Sequence, residues 1–236
     1  MIDTRWAIYI DIEGFGSLYD QTMRALLPLN ALMEGIYRVG ENKYNNDVSR
    51  LFAHQFGDGF VIVSCFEEKS LDRAAAVAIS LMRHVLASGG IAKASISEGG
   101  FSDIKDCYPR TITDKEKNGS VPMGAGLMTI IPVMGTALIN AISLDKRSPS
   151  GSLLTIDAAN EGRLSKEFAC RKIENGLVSI NWLKGKQGLV SEICVDAGLS
   201  NPSEPERESL LTNYIKNNTL KPEWVRTTCY EQEVFI

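Results

Sequence analysis

The chain has little histidine and no paired cysteine motif, which excludes most zinc and disulfide chemistry. Its 236 residues include two histidines, His54 and His84, and five cysteines, none of them in a CxxC pair. A Cys/His zinc site or a disulfide framework needs more of these ligands at closer spacing. Unpaired thiols suit a reducing compartment, so a cytoplasmic location is expected.

The chain also lacks an excess of positive charge. Its formal net charge is -4; residues 1–186 carry 21 Lys+Arg and 21 Asp+Glu, and residues 187–236 carry 4 and 8. The excess of negative charge therefore lies in the C-terminal fifth. A neutral body is a poor electrostatic collector for a nucleic acid polymer, so no such partner is expected. This does not exclude a single nucleotide held by metal ions.

One stretch without charged side chains, residues 119–144, is long enough to cross a bilayer. It contains four glycines and two prolines, which favour a buried strand, a turn and a helix instead. Asp3 and Arg5 precede the first apolar run, which is not typical of a signal peptide. We therefore expect no stable membrane insertion.

The hydrophobic pattern predicts an α+β fold. The order of strand, helix, hairpin, helix and strand indicates a mostly antiparallel, ferredoxin-like sheet with helices on one face. Residues 1–186 are predicted to form this domain, and residues 187–236 an acidic, partly helical extension. The predicted strands are 6–12, 50–56, 60–66 and 91–98; the predicted helices are 17–38, kinked or divided at Pro28, 70–88 and 203–217.

Two aspartates stand where predicted strands end. Asp11 closes the first apolar run, and Gly14-Phe15-Gly16 follows it, offering backbone N–H groups that suit phosphate. Asp58 lies at the tip of a predicted hairpin and, like Asp11, also suits a plain turn or cap role. If the hairpin flanks the first strand, the two carboxylates lie side by side and need a cation between them. Oxygen ligands favour Mg²⁺ or Mn²⁺.

Four segments together resemble the class III nucleotidyl cyclases. IDIEGFGSL resembles the first metal-binding segment of that family, and HQFGDGFVIV resembles the second. ASISEGGF is similar to the strand that follows, and PVMGTALINAISL to the segment leading into the last core helix. The resemblance covers roughly residues 5–185 and implies the palm-type fold of those cyclases.

The resemblance implies a site with two divalent cations, Mn²⁺ or Mg²⁺. Asp11 and Asp58 would each contact both ions, the carbonyl of Ile12 would be a further ligand, and the amides of Phe15 and Gly16 would hold the triphosphate. One ion would lower the pKa of the ribose 3′-hydroxyl and the other would neutralise phosphate charge, so that the 3′-oxygen attacks the α-phosphorus and pyrophosphate leaves. Family members pair head to tail with sites between the chains, which implies a homodimer.

The sequence departs from the purine cyclases at the base pocket. Four residues before the second metal aspartate, where those enzymes hold a base-recognising Lys or Glu, this chain has His54. Where they hold a second base-recognising Asp or Cys, it has Pro132. His54 can offer a donor or an acceptor to a pyrimidine edge, although it is equally compatible with a core histidine.

The Asn-x-x-x-Arg pair of the family is incomplete. Asn140 is present as the expected catalytic asparagine, but Leu144 stands four residues on, and a shift by one gives Ile139 and Ser143. The transition-state cation must then come from elsewhere or be missing. The candidate cations are Arg50, Lys93, Arg110 and Lys146.

These departures resemble the divergent pyrimidine cyclases of bacterial anti-phage defence, the Pycsar systems, as do INWL at 180–183 and the acidic tail. Those short cyclases make cyclic UMP or cyclic CMP, which activates a downstream effector protein. We expect UTP as the substrate, with CTP left open. The alternatives are an adenylate or guanylate cyclase with an unorthodox base pocket, and a catalytically inactive cyclase fold that serves as a dimerisation module.

Overall fold

The computed structural model describes residues 5–14, 22–131 and 133–234, and its centre is a seven-stranded sheet. The strands of the chain are β1 (Arg5–Ile12), β2 (Leu51–Phe56), β3 (Gly59–Ser64), β4 (Ala92–Gly99), β5 (Ser102–Asp103), β6 (Ser120–Met123), β7 (Gly126–Thr129), β8 (Val133–Met134), β9 (Leu154–Asp157), β10 (Cys170–Lys172) and β11 (Leu177–Ile180). The central sheet has the order β10-β11-β9-β4-β1-β3-β2. Its pairs are antiparallel except β4 with β9.

Seven α-helices accompany these strands in the described ranges. They are α1 (Thr22–Asn42), α2 (Asp72–Ala87), α3 (Arg110–Thr113), α4 (Thr136–Arg147), α5 (Gly188–Asp196), α6 (Glu204–Asn217) and α7 (Pro222–Gln232). The unit β1-α1-β2-β3-α2-β4 has the strand order 4-1-3-2, which is the ferredoxin-like arrangement. The prediction of an α+β fold with a mostly antiparallel sheet is therefore confirmed.

The alternation of side chains along β1 separates the two faces of the sheet. Trp6, Ile8, Ile10 and Ile12 face the main core, where α1 and α2 pack. Ala7 faces the other side, in a second cluster with Ala137 and Ala141 of α4 and the valines of β3. The expected placement of helices on one face holds for α1 and α2, whereas α4 covers part of the opposite face.

The uncharged stretch 119–144 forms β6, β7, β8 and most of α4 in its described part. Within the described ranges, no helix is both long enough and apolar enough to span a membrane. The helix expected to kink or divide at Pro28 is not divided: Pro28 lies inside one helix, α1. Its ring packs against Gly90, where a side chain would collide with it.

The segment after residue 186 shares the main core. Val190, Ile193, Leu211 and Trp224 are buried in the same hydrophobic cluster as the sheet residues. Arg207 of α6 is 4% exposed and donates from Nη1 to the carbonyl of Pro202 at 2.6 Å. The predicted boundary at residue 186 stays a prediction, but these contacts attach the extension firmly to the rest of the chain.

Candidate active site

The hairpin places Asp58 beside the end of β1. Asp11 lies directly opposite Gly59 in the antiparallel pairing of β1 with β3, and Asp58 precedes Gly59 at the tip between β2 and β3. On its other side, Asp11 lies opposite Lys93 of β4. The two aspartates predicted from the sequence are therefore brought to the same end of the sheet.

Asp11 carries a carboxylate that the protein does not satisfy by itself. Its Oδ1 atom is buried without a hydrogen-bond partner. Burial raises the pKa of Asp11 to about 7, with further contributions from the negative charges of Asp145, Glu13 and Asp58 and an opposing one from Lys93. A buried anionic oxygen without a partner is costly unless a cation or proton compensates it.

A buried ion pair lies next to Asp11. The Lys93 ammonium is 3.4 Å from Asp145 Oδ1 and donates to the Asp145 backbone carbonyl at 3.3 Å. Lys93 is 8% exposed. One buried cation thus pairs with Asp145 and is the cross-strand neighbour of Asp11, which leaves a local excess of negative charge at the end of the sheet.

Gly59 leaves the space in which Asp11 and Tyr9 meet. A Cβ atom at Gly59 would lie 2.8 Å from the Tyr9 hydroxyl oxygen and 3.1 Å from Asp11 Cβ. Burial, together with the negative charge of the neighbouring Asp11, raises the pKa of Tyr9. Tyr9 therefore stays protonated near neutral pH beside the carboxylate.

These residues fit a divalent cation bound between Asp11 and Asp58. The unpartnered Asp11 oxygen is a ligand atom of the kind that such an ion needs, and oxygen ligands suit Mg²⁺ or Mn²⁺. In the described ranges, no group of three or more His, Cys, Asp or Glu residues is arranged to hold a metal ion. The resemblance implies only two carboxylates, so the carbonyl of Ile12 and phosphate oxygens of a substrate would have to complete the coordination.

Asp11→Asn is expected to raise the thermal stability of the metal-free protein at pH 8. Because the pKa of Asp11 is higher in the folded state than in the unfolded chain, the folded state binds that proton more tightly. The protonated Asp11 carboxyl therefore contributes stability at low pH, and this contribution is lost as the pH rises towards about 7. Above that pH the ionised carboxylate destabilises the fold. Thermal unfolding in EDTA should show a gain for the variant at pH 8 that shrinks at pH 5; an equal or lower midpoint at pH 8 would contradict this environment for Asp11.

His54 lies on the same face of the sheet as Asp11. His54 pairs with Val61 of β3, and Val61 pairs in turn with Tyr9 of β1. His54 is therefore two strands away from Tyr9, and Asp11 is two residues further along β1, which places the Cα atoms of His54 and Asp11 about 12 Å apart. Its Nε2 atom is buried without a partner, and its ring lies 5.9 Å from that of Phe101. Burial lowers the pKa of His54, so the imidazole is neutral at pH 7 and offers one donor and one acceptor.

Asn140 does not lie with Asp11 within one chain. Its Nδ2 atom donates to the carbonyl of Glu98 at 2.8 Å, and Glu98 is opposite Trp6, at the far end of β1 from Asp11. The resemblance places such a residue in a site shared between two chains, and Asn140 as a catalytic residue stays a prediction on those terms. Phe15, Gly16 and Pro132 lie outside the described residues.

The four candidate cations have different surroundings. Lys93 is the candidate that lies opposite Asp11. Arg50 instead pairs with Asp47 at 3.0 Å and lies over the ring of Phe52. Arg110 begins the short helix α3, and Lys146 is in the last turn of α4. Within a single chain, Lys93 is therefore the cation placed to act near Asp11.

The sequence analysis did not single out three residues of this site, Glu13, Asp145 and Trp224. Asp145 is the first charged residue after the uncharged stretch, a signal that could have drawn attention to it. Trp224 donates a hydrogen bond to Glu13, which lies 211 residues earlier in the sequence, and no local pattern predicts such a contact. Glu13 directly follows the motif of Asp11, but its partner is not evident from the sequence.

Comparisons with known proteins give little with which to place this chain. No model of a protein family and no curated protein matches it. Among solved structures, it is similar to a class III adenylyl cyclase-like ATP-binding protein from Pseudomonas aeruginosa, with 11% identity and a TM-score of 0.39 over 70% of this chain and 35% of that chain. This chain thus spans about a third of that protein.

Proposed function

We propose that this chain is a nucleotidyl cyclase that converts a pyrimidine nucleoside triphosphate, UTP or CTP, to the 3′,5′-cyclic nucleotide and pyrophosphate. One observation carries the proposal. Asp11 meets the hairpin tip that bears Asp58, opposite Gly59, and the buried Oδ1 of Asp11 has no partner. A site whose ligand atoms are all oxygens, one of them a buried carboxylate oxygen without a hydrogen-bond partner, is suited to the divalent cations that accompany a nucleoside triphosphate.

The residues of this chain would have distinct roles in that reaction. Asp11, Asp58 and the carbonyl of Ile12 would hold the cations, and Gly59 would leave the space that Asp11 and Tyr9 share. When bound, the cations would supply the Lewis acidity that makes the 3′-hydroxyl a nucleophile and stabilises the leaving pyrophosphate. Lys93 would offset part of the local negative charge, because its ammonium is buried beside Asp145.

The base would lie towards β2, on the face that carries His54. The rings of Phe52 and Phe101 lie 5.3 Å apart, and His54 continues this aromatic surface. A neutral imidazole can donate to O4 of uracil or accept from N4 of cytosine, so His54 supports a pyrimidine without choosing between UTP and CTP.

The cellular context belongs to the same proposal. The chain would act as a cytoplasmic homodimer, with its sites completed between two copies, and its cyclic nucleotide would activate an effector protein in bacterial anti-phage defence. The motif resemblance and the replacement of the purine-recognising residues by His54 and Pro132 support this context.

The proposal is tested by incubating the purified protein with Mn²⁺ and each of the four nucleoside triphosphates in separate reactions. Mass spectrometry should identify cyclic UMP or cyclic CMP, and EDTA should abolish its formation. Products from ATP or GTP alone would support a purine cyclase with an unorthodox pocket. No product from any nucleotide would favour an inactive dimerisation module, and either result would overturn the proposal.

A further inference from the structure

The C-terminal helices hold the residue that lies two positions after Asp11. The Trp224 indole Nε1 atom donates to Glu13 Oε2 at 2.5 Å, and Trp224 is 5% exposed. Tyr214 of α6 packs its ring 6.3 Å from that of Trp224 and donates from its hydroxyl to the Glu13 carbonyl at 3.5 Å. The C-terminal segment therefore contacts both the side chain and the backbone of Glu13.

A second contact fixes α7 to the same end of the sheet. Thr228, one turn after Trp224, accepts from the Ser152 backbone N–H at 2.9 Å. The Ser152 hydroxyl in turn donates to the carbonyl of Ala92 at 2.7 Å, and Ala92 lies directly opposite Ile12. Helix α7 is thus connected through Ser152 to β4, at the residue that pairs with the end of β1.

The contact with Glu13 is an inefficient way to stabilise a fold. Glu13 is half-buried near the negative charges of Asp145 and Asp58, and its partial burial raises its pKa although Trp224 and Lys93 oppose the rise. One hydrogen bond from an indole offsets little of the free energy that is lost when a carboxylate is removed from water. An apolar side chain at this position would carry no such desolvation cost. The arrangement is better explained by a need to hold Glu13 in one place.

The segment that Glu13 begins is a turn with a special backbone. Its amide donates to the Ile91 carbonyl at 2.9 Å, and Gly14 has a φ of 76°, in the left-handed region that favours glycine. This turn directly follows Asp11 and Ile12, the two residues of β1 that would hold the cations under the proposed function. The position of the turn therefore bears on these cation ligands.

We propose that Trp224 is a positioning residue, which holds Glu13 and thereby sets the position of the turn that follows Asp11 and Ile12. The inference rests on the proposed function, since it takes these two residues as ligands of the cations that accompany the nucleotide. It also means that the acidic extension, residues 187–236, helps to position the residues of the site. Removing the indole donor should then weaken nucleotide binding without unfolding the protein.

The test compares wild type with Trp224→Phe, which keeps a buried ring but removes the donor. The probes are hydrogen exchange at the Glu13 amide and the dissociation constant of 3′-deoxy-UTP with Mn²⁺, an analogue that cannot cyclise. We expect exchange to be about tenfold faster and binding about tenfold weaker, as for the loss of a hydrogen bond to a charged group. Tyr230→Leu is the matched control, because Tyr230 is an exposed residue of the same helix, and it should change neither quantity.

Glu13→Gln provides a second variant in case the Trp224 change disturbs packing. It keeps the shape of the side chain, should weaken binding in the same direction, and should show a non-additive effect when combined with Trp224→Phe. Unchanged exchange, or faster exchange with unchanged affinity, would overturn the positioning role. If wild type binds 3′-deoxy-UTP but cyclises no nucleotide, the proposed function fails while this inference stands; if it binds no nucleotide, both fail.

Discussion

Asp58→Ala is expected to reduce the cyclisation of UTP by at least about a thousandfold, because it removes a ligand of ions that stabilise several kcal/mol of developing charge. The change should leave the fold intact, since Asp58 lies at a hairpin tip between β2 and β3. Initial rates with Mn²⁺ and circular dichroism of both proteins provide the measurement.

Two further variants make the test of Asp58 specific. Asp58→Asn keeps the shape of the side chain but replaces a charged ligand by a poor one, and it should be almost as inactive as the alanine variant. Asp114→Ala removes an exposed aspartate at the end of α3 and should retain wild-type turnover. If Asp58→Ala kept more than about a tenth of the activity, the loss would be less than 1.4 kcal/mol and Asp58 would not be a metal ligand in the reaction.

Lys93→Met is expected to produce the largest loss of stability, about 3–5 kcal/mol in the free energy of unfolding, as for other buried ion pairs that lose one partner. Lys93 is the cation between Asp145, at 3.4 Å, and Asp11, its cross-strand neighbour. Methionine fills a similar volume, so the loss would come from two buried carboxylates left without a counter-charge. Chemical denaturation of the metal-free protein at pH 8 measures it.

A matched pair of changes separates charge from packing in this prediction. Lys93→Met combined with Asp145→Leu should recover part of the lost stability, because the second change removes one of the two carboxylates left without a counter-charge. Lys172→Met removes a lysine from the exposed pair with Glu161 and should cost less than about 1 kcal/mol. A Lys93→Met protein as stable as the Lys172→Met protein would contradict the buried charge cluster described above.

The fold was predictable to the extent that its signals are local. Asp58 between two glycines and two apolar runs predicts the hairpin of β2 and β3, and the apolar run ending at Asp11 predicts β1. The capping box of Ser203 and Glu206 marks the start of α6, in agreement with the predicted helix 203–217. The sheet order of the ferredoxin-like unit then followed from the sequence of elements.

The sequence predicted that Asp11 and Asp58 meet, and it named Lys93 among four candidate cations without ranking it. Lys93 comes beside Asp11 because β4 pairs with β1 in one particular register, and Asp145 comes there because α4 packs over that face, opposite α1 and α2. Trp224 reaches Glu13 from a helix far along the chain. Each of these depends on tertiary packing, for which a single sequence carries no periodic or motif signal.

The central claim is tested most directly by a competition among UTP, CTP, ATP and GTP at equal concentrations with Mn²⁺. Products are identified by mass spectrometry and chromatography that separates 3′,5′- from 2′,3′-cyclic isomers, and pyrophosphate is measured in the same samples. The account predicts that a 3′,5′-cyclic pyrimidine nucleotide dominates, that pyrophosphate forms in equal amount, and that Asp58→Ala yields neither. A dominant purine product, or a pyrimidine product formed equally by the Asp58→Ala protein, would contradict it.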